Sequence, residues 1–249
     1  MILNFTFQND FFTKKNVLTF VKLTENTMKT YFYKDVVEDG EIIDVELYKT
    51  LLFVGDNNSG KTNLLTAIKF CLLVINDNLS NENQLFVDNY IKNNNFNYIL
   101  DYMFNNEILT IEYNCVNSNF EIKKPINKLN LFVRDDFNLD LINNIKNINN
   151  SLILNDCQDG HIHFLRLMEA LNRIEDSTSN QLILATHNPS WLDNNKYFSE
   201  EQIYFITKQE VYALSDFDLT KINEKGINYR DAYLHDRFGA VPDLDDIKW

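Results

Sequence analysis

The chain has 249 residues, 45% of them hydrophobic, with 19 Phe and 12 Tyr, and can bury the core of one large α/β domain or two small ones. A formal charge of −13 argues against a protein that coats DNA by itself, since phosphate contacts need a basic field. No apolar run reaches the ~18 residues of a membrane span, and MILNFTFQNDFF lacks a basic stretch leading into an apolar one, so the expectation is a cytoplasmic chain with no membrane attachment.

The first 50 residues alternate apolar and polar in short runs (Ile2, Phe5 and Phe7, then Val17, Leu18, Phe20 and Val21), which predicts strands joined by turns. Thr50 to Val54, TLLFV, is a continuous apolar run ending at Gly55, as a central strand buried on both faces requires. Leu64, Leu65, Ile68, Leu72 and Ile75 recur at helical spacing from Lys61 onward. Asn-rich stretches at 76–83 and 92–97 read as loops around a short helix near Gln84 to Ile91. YILDYMF and ILTIEY follow as a hairpin with a three-residue turn, Asn105-Asn106-Glu107.

Residues 137–148 read as a short helix, followed by the strand SLILNDC. Ile162, Leu165, Met168 and Leu171 then form one helical face, and QLILAT (181–186) is a second buried strand. IYFIT and VYAL are further strands, before a weak helix near Tyr229 to His235. Alternating strand and helix around a glycine turn, with extra antiparallel strands in front, makes the fold class α/β. Cys71, Cys115 and Cys157 form neither a metal pattern nor a disulfide framework, which suits a reducing compartment. Lys123, Lys124 and Lys128 read as a solvated hairpin edge in preference to a basic patch.

Gly55-Asp56-Asn57-Asn58-Ser59-Gly60-Lys61-Thr62 satisfies the phosphate-loop pattern G-x-x-x-x-G-K-[ST]. The chemistry calls for each part. Backbone N–H groups of a turn between strand and helix cradle phosphate oxygens, and the helix start adds partial positive charge. Lys61 would neutralise the outer phosphates and Thr62 would offer a hydroxyl to Mg²⁺. Asn58 stands where a small residue is common, and Asn tolerates left-handed backbone well. Gly55, Asn57, Asn58, Ser59, Gly60, Lys61, Thr62 and Asn63 are therefore the candidate nucleotide-binding residues, with ATP and Mg²⁺ as the cofactors. The apolar strand before the loop and the amphipathic helix after it both support the reading.

MILNFTFQNDFFTKKNVLTFVKL, the loop followed by NLLTAIKF, and LILATHNPSWLD together resemble an ABC-type ATPase of the SMC/RecF branch. The nearest resemblance is to the AAA-labelled ATPases of abortive-infection phage defence, with RloC-like and AbiL-like relatives. IYFITKQEVYALSDFD and RDAYLHDRFGAVPDL resemble that family's ending, which carries a similar G-R-F-G-A-I-P element. Residues from about 76 to 150 are unmatched. The resemblance implies one ABC-type ATPase head over residues 1–249, with an antiparallel β-subdomain from about 1–50 and 97–123 and a shortened insertion at about 76–150.

The resemblance also assigns roles. Asp156 matches the magnesium-liganding aspartate, so that Thr62 and Asp156 would form the metal site. Asp159 and His163 fall where the family often has a second acid and a histidine. Thr186-His187-Asn188 matches a threonine-histidine-serine whose histidine senses the terminal phosphate. A lone loop histidine is more often structural, and it is the phosphate loop that favours the sensor role for His187. Cys157 stands where a glutamate would activate water. A thiol of ordinary pKa, about 8.5, is mostly protonated at neutral pH and is a weak acceptor. In an alternative register Asn155 takes the magnesium side and Asp156 becomes the base. No glycine lies between Gly60 and Gly160, so the family's serine-glycine signature loop is absent, as is its magnesium-contacting glutamine. The stretch from Lys61 to Asp156 is also shorter than the family's usual insertion.

The expectation is an ATP-binding core subunit of a bacterial anti-phage system, with hydrolysis weak or lost and with Asp156, Cys157 and His187 as the catalytic positions. It would act in a homo- or hetero-oligomer, through nucleotide-dependent assembly with a nuclease or toxin effector, with little direct DNA binding. The alternatives are a slow RecF/SMC-like ATPase of DNA maintenance, and a nucleotide-free scaffold.

Overall fold

The computed structural model describes residues 1–22, 30–76, 79–123, 132–134, 151–157, 180–193, 198–208, 210–220 and 228–239, with backbone alone for 30–34, 132–134 and 151–157. The helices expected at 137–148 and through Ile162 to Leu171, together with Lys124, Lys128, Asp159 and His163, lie outside the described residues.

One sheet has seven strands: β1 (Ile2–Asn9), β2 (Asn16–Thr19), β3 (Thr30–Glu38), β4 (Glu41–Tyr48), β6 (Phe96–Phe104), β7 (Glu107–Val116) and β8 (Asn119–Lys123). They lie in the order β2-β1-β6-β7-β3-β4, with β8 also on β7. All pairings are antiparallel except β3 with β7, where Val37 faces Glu107.

The hairpin turns are local chemistry. Asp39 and Gly40 have φ of 49° and 84°, and Asn105 and Asn106 have 51° and 62°. Two successive positive values define the tight hairpin turn that Asp, Asn and Gly favour. Phe104 pairs with Glu107, so the expected three-residue turn is a two-residue one. Glu107 belongs to the ladder because the Asn pair alone supplies the required backbone twist. Lys123 is exposed and pairs with Glu112 at 3.0 Å, the solvated edge expected of it.

The second sheet runs β13-β12-β5-β11-β10-β9. Its strands are β5 (Thr50–Val54), β9 (Phe132–Arg134), β10 (Ser151–Cys157), β11 (Gln181–Thr186), β12 (Ile203–Ile206) and β13 (Val211–Ala213). All neighbours are parallel except β13, which turns back antiparallel on β12. Every residue of β5 and β11 is buried, as a central parallel strand demands.

Helix α1 (Lys61–Val74) lies between the two sheets. Its buried residues include Leu64, Leu65, Ile68 and Leu72 of the expected stripe and also Ala67, Phe70, Cys71 and Leu73, so burial spreads beyond one face after the first turn, while Thr62 and Asn63 at its start stay exposed. Phe70 packs on Phe96, Tyr113 and Phe120 of the antiparallel sheet, and the Tyr113 hydroxyl donates to the Cys71 carbonyl at 2.9 Å. Leu51 and Phe53 of β5 join this same core. The fold is thus mixed α/β, with a mixed sheet bearing the phosphate loop and an antiparallel sheet across α1 from it.

Helix α2 (Asn81–Asn93) starts earlier than its Asn-rich sequence suggests, because the Ser80 hydroxyl caps it by accepting from the Asn83 N–H at 3.2 Å. Its ring Tyr90 stacks on Phe70 at 4.5 Å. Among the described residues no helix is long and apolar enough to cross a membrane. Cys71 and Cys115 are buried thiols.

Two buried side chains tie the sheets directly. The Gln181 amide donates to the Ile2 carbonyl at 2.8 Å and accepts from the Ile2 N–H at 2.7 Å, so β11 is bonded to β1 through a side chain acting as a strand residue. The Tyr204 hydroxyl accepts from the Thr19 N–H at 3.1 Å and donates to the Thr19 carbonyl at 3.2 Å, joining β12 to β2. Burial pushes the Tyr204 hydroxyl up to about 12 from its ordinary 10.

Between those two values the folded protein keeps a proton that the unfolded chain has released. The stabilisation is therefore complete below pH 10 and is lost as the pH rises toward about 12. Tyr204→Phe should lower stability at neutral pH by about 1 kcal/mol and flatten the alkaline decline; urea midpoints measured across the window would check both.

Candidate functional site

The phosphate loop follows β5 at the carboxyl edge of the parallel sheet, where ligands of open α/β folds bind. Gly55 leaves the strand between two neighbours. Its N–H donates to the Thr186 carbonyl of β11 at 3.3 Å, and a Cβ at this position would lie 2.5 Å from the Ile206 carbonyl of β12. Only glycine passes through this gap.

The turn then tightens, with the Ser59 N–H donating to the Asp56 carbonyl at 3.2 Å and Asn58 at φ 70°. Asn58 thus adopts the left-handed conformation its residue type tolerates. Gly60 has φ 104° and begins α1, and the Leu64 N–H closes the first helical turn on its carbonyl at 2.9 Å. No described side chain caps this helix start, and its first turn carries no acid.

Lys61 is buried, and its ammonium turns back into the loop. Nζ donates to the carbonyls of Gly55 at 2.9 Å and Asp56 at 2.6 Å, with Ser59 Oγ at 3.4 Å. A cation is thereby held against two carbonyls and a hydroxyl of the loop. Asn57, Asn58, Thr62 and Asn63 are exposed on the same turn, whereas Ser59 is buried beneath it.

The strand register brings the remaining candidates to this edge. Cys157 is level with Thr186, which is level with Val54; Asp156 is level with Ala185 and Phe53. With strands about 4.8 Å apart, β10 ends roughly 10 Å from the loop, across the width of β11. His187 is half-buried and follows directly on Thr186. The Thr186 hydroxyl accepts from the Asn188 N–H at 3.0 Å, and Asn188 Oδ1 accepts from the Ser190 N–H at 3.0 Å. The threonine therefore shapes the turn that presents His187, and a 3-10 turn at Pro189–Asp193 continues it. The backbone thus gathers Gly55 through Asn63, Asp156, Cys157 and His187 along one edge.

Two contributors escaped the sequence reading. Asn9 Oδ1 accepts from the N–H groups of Phe11 at 3.0 Å and Phe12 at 2.7 Å, fixing the β1–β2 turn. This turn sets both rings against Gly60, where a Cβ would meet Phe11 Cε1 at 2.3 Å and Phe12 Cζ at 2.8 Å. The only signal was a Phe-Phe pair within a polar loop beginning at an Asn. The second is helix α3 (Tyr229–Leu234), which packs on the 3-10 turn after His187. Nothing local in its sequence marks it as belonging to the site.

No family model matches the chain, and no curated protein does. Among solved structures the chain is similar to the SMC head domain from Thermotoga maritima, at 11% identity and a TM-score of 0.44, over 85% of this chain and 98% of that one.

Gly60→Ala should be badly tolerated, since the added methyl meets two rings in a left-handed backbone position. Overpacking alone costs roughly 1–3 kcal/mol. A fall in melting temperature is expected, partly recovered when Phe11→Ala is added to the same chain.

Proposed function

We propose that this chain is an ATP-binding, ABC-type P-loop protein in which nucleotide controls assembly with a partner. The observation that carries the reading is the Gly55–Thr62 turn, whose glycines sit where no side chain fits and whose lysine is held inside it. Charge and donor geometry there suit a triphosphate: backbone amides, a helix start without a capping acid, and one sequestered ammonium.

In this reading Lys61 exchanges its carbonyl contacts for outer phosphate oxygens, and Asn57 to Thr62 supply the backbone cradle. Mg²⁺, when bound, would screen the phosphate charge, held by Thr62 and Asp156. His187 would meet the terminal phosphate from the end of β11. Cys157, beside Asp156 at the end of β10, lacks a carboxylate to orient water, so the protein works chiefly as a nucleotide-dependent binder. Its place in anti-phage defence, with a nuclease or toxin effector, rests on the sequence resemblance.

Lys61→Ala removes a charged donor of the kind worth about 1.5–3 kcal/mol. ATP·Mg²⁺ affinity measured by calorimetry should fall roughly 10- to 100-fold; equal affinity in both proteins would leave only the scaffold alternative. Positioned bases contribute about 10²–10⁴ in rate. Cys157→Glu should accordingly raise phosphate release well above wild type, and a wild type that already turns over rapidly would refute the assignment.

A further inference from the structure

The end of β12 and the turn after His187 share one clamp. Phe205, level with Val54, stacks on Phe238 at 4.6 Å and 14° and on Tyr233 at 5.7 Å and 16°. Phe217 closes the stack edge-on to Phe238 at 5.1 Å. The residue after Phe205 is Ile206, whose carbonyl would lie 2.5 Å from a Cβ on Gly55. On its other side the same segment reaches the His187 turn, where Arg230 pairs with Asp193 at 3.0 Å. Tyr229 donates to Glu200 just before β12. The segment is also near the loop electrically: burial first, and then Asp56, push the Tyr233 hydroxyl up to about 12.

We infer that Asn228–Gly239 is a positioning element for the phosphate site, holding the Ile206 carbonyl against Gly55 through Phe205 and holding the His187 turn through Arg230. The physical reason is that both walls of the Gly55 gap are strand ends. On the β12 side the register with β5 ends at Phe205 and Val54, and β12 turns away into its hairpin with β13, where the Thr207 N–H donates to the Glu210 carbonyl at 3.0 Å, so the spacing across the gap needs a support from outside this ladder. The aromatic stack supplies that support to β12, and the ion pair supplies it to the segment following β11. The residues involved touch the site's frame and not the phosphates, so their effect is on geometry. The affinity consequence rests on the nucleotide reading above, whereas the effect on the loop does not.

Amide hydrogen exchange in the nucleotide-free protein tests the first part. Phe238→Ala should speed exchange at Gly55–Lys61 and Thr186–Asn188 about tenfold, the loss of roughly 1.4 kcal/mol of local protection, and leave the β6–β7 ladder unchanged. Phe238→Tyr, which keeps the ring, should restore wild-type exchange. Unchanged exchange at Gly55–Lys61, or an equal rise in both sheets, would overturn the inference. Arg230→Gln, at a half-exposed position, keeps the test open if Phe238→Ala does not fold: faster exchange at Thr186–Asn188 is expected, and no change there refutes the clamp. Binding of ATP·Mg²⁺ by the same variants gives the second readout, with weakening in Phe238→Ala and recovery in Phe238→Tyr. A wild type that binds no ATP removes the nucleotide reading, and exchange still decides the clamp.

Discussion

The gap that admits Gly55 is the constraint on which the site depends. Its N–H is held by the Thr186 carbonyl on one side, and the Ile206 carbonyl on the other stands where a side chain on its α-carbon would have to go. A parallel sheet brings strand ends to one edge, but it does not by itself fix how far apart two such ends stand. Here that spacing decides whether the chain turns back over its own helix start. Everything downstream follows from the turn: the left-handed Asn58, the glycine at φ 104°, and the lysine gathered into the loop.

The helix behind the loop is equally constrained. A helix buried on one face can roll, whereas α1 is gripped by the parallel sheet on one side and by the Phe70 cluster on the other. The N-terminal end of α1 is therefore set by packing around its middle, and the rings of Phe11 and Phe12 lie against its N-cap, Gly60. Bidentate bonding of Gln181 to Ile2 and the two-way hydrogen bond of Tyr204 with Thr19 keep the antiparallel sheet in register with this frame. Losing the Gln181 side chain would strand the buried N–H and carbonyl of Ile2, which costs more than the net worth of the bonds.

Charged groups are unevenly placed in a chain whose net charge is −13. Acidic residues crowd the β3–β4 hairpin, where Asp35, Glu38, Asp39, Glu41 and Asp44 surround an exposed edge, a pattern that discourages further strand pairing. The phosphate loop carries one acid, Asp56, and its helix start carries none. Local placement, not total charge, sets the electrostatics around the loop.

Much of this was legible in local chemistry. TLLFV as a doubly buried strand, the helix from Lys61, the phosphate loop, QLILAT and the positive-φ tolerance of Asn58 all follow from periodicity and residue type, because each is decided within a few neighbours. Hairpin turn length and the start of α2 were misjudged where one residue, Glu107 or Ser80, did the deciding in an Asn-rich background. Tertiary structure alone decided that β11 stands between the loop strand and the Asp156 strand, that Phe11 lies on Gly60, and that α3 supports β12. Those are contacts between residues far apart in the chain, and no periodicity records them: a sequence states what each segment can bury, and only the assembled sheets settle what it is buried against.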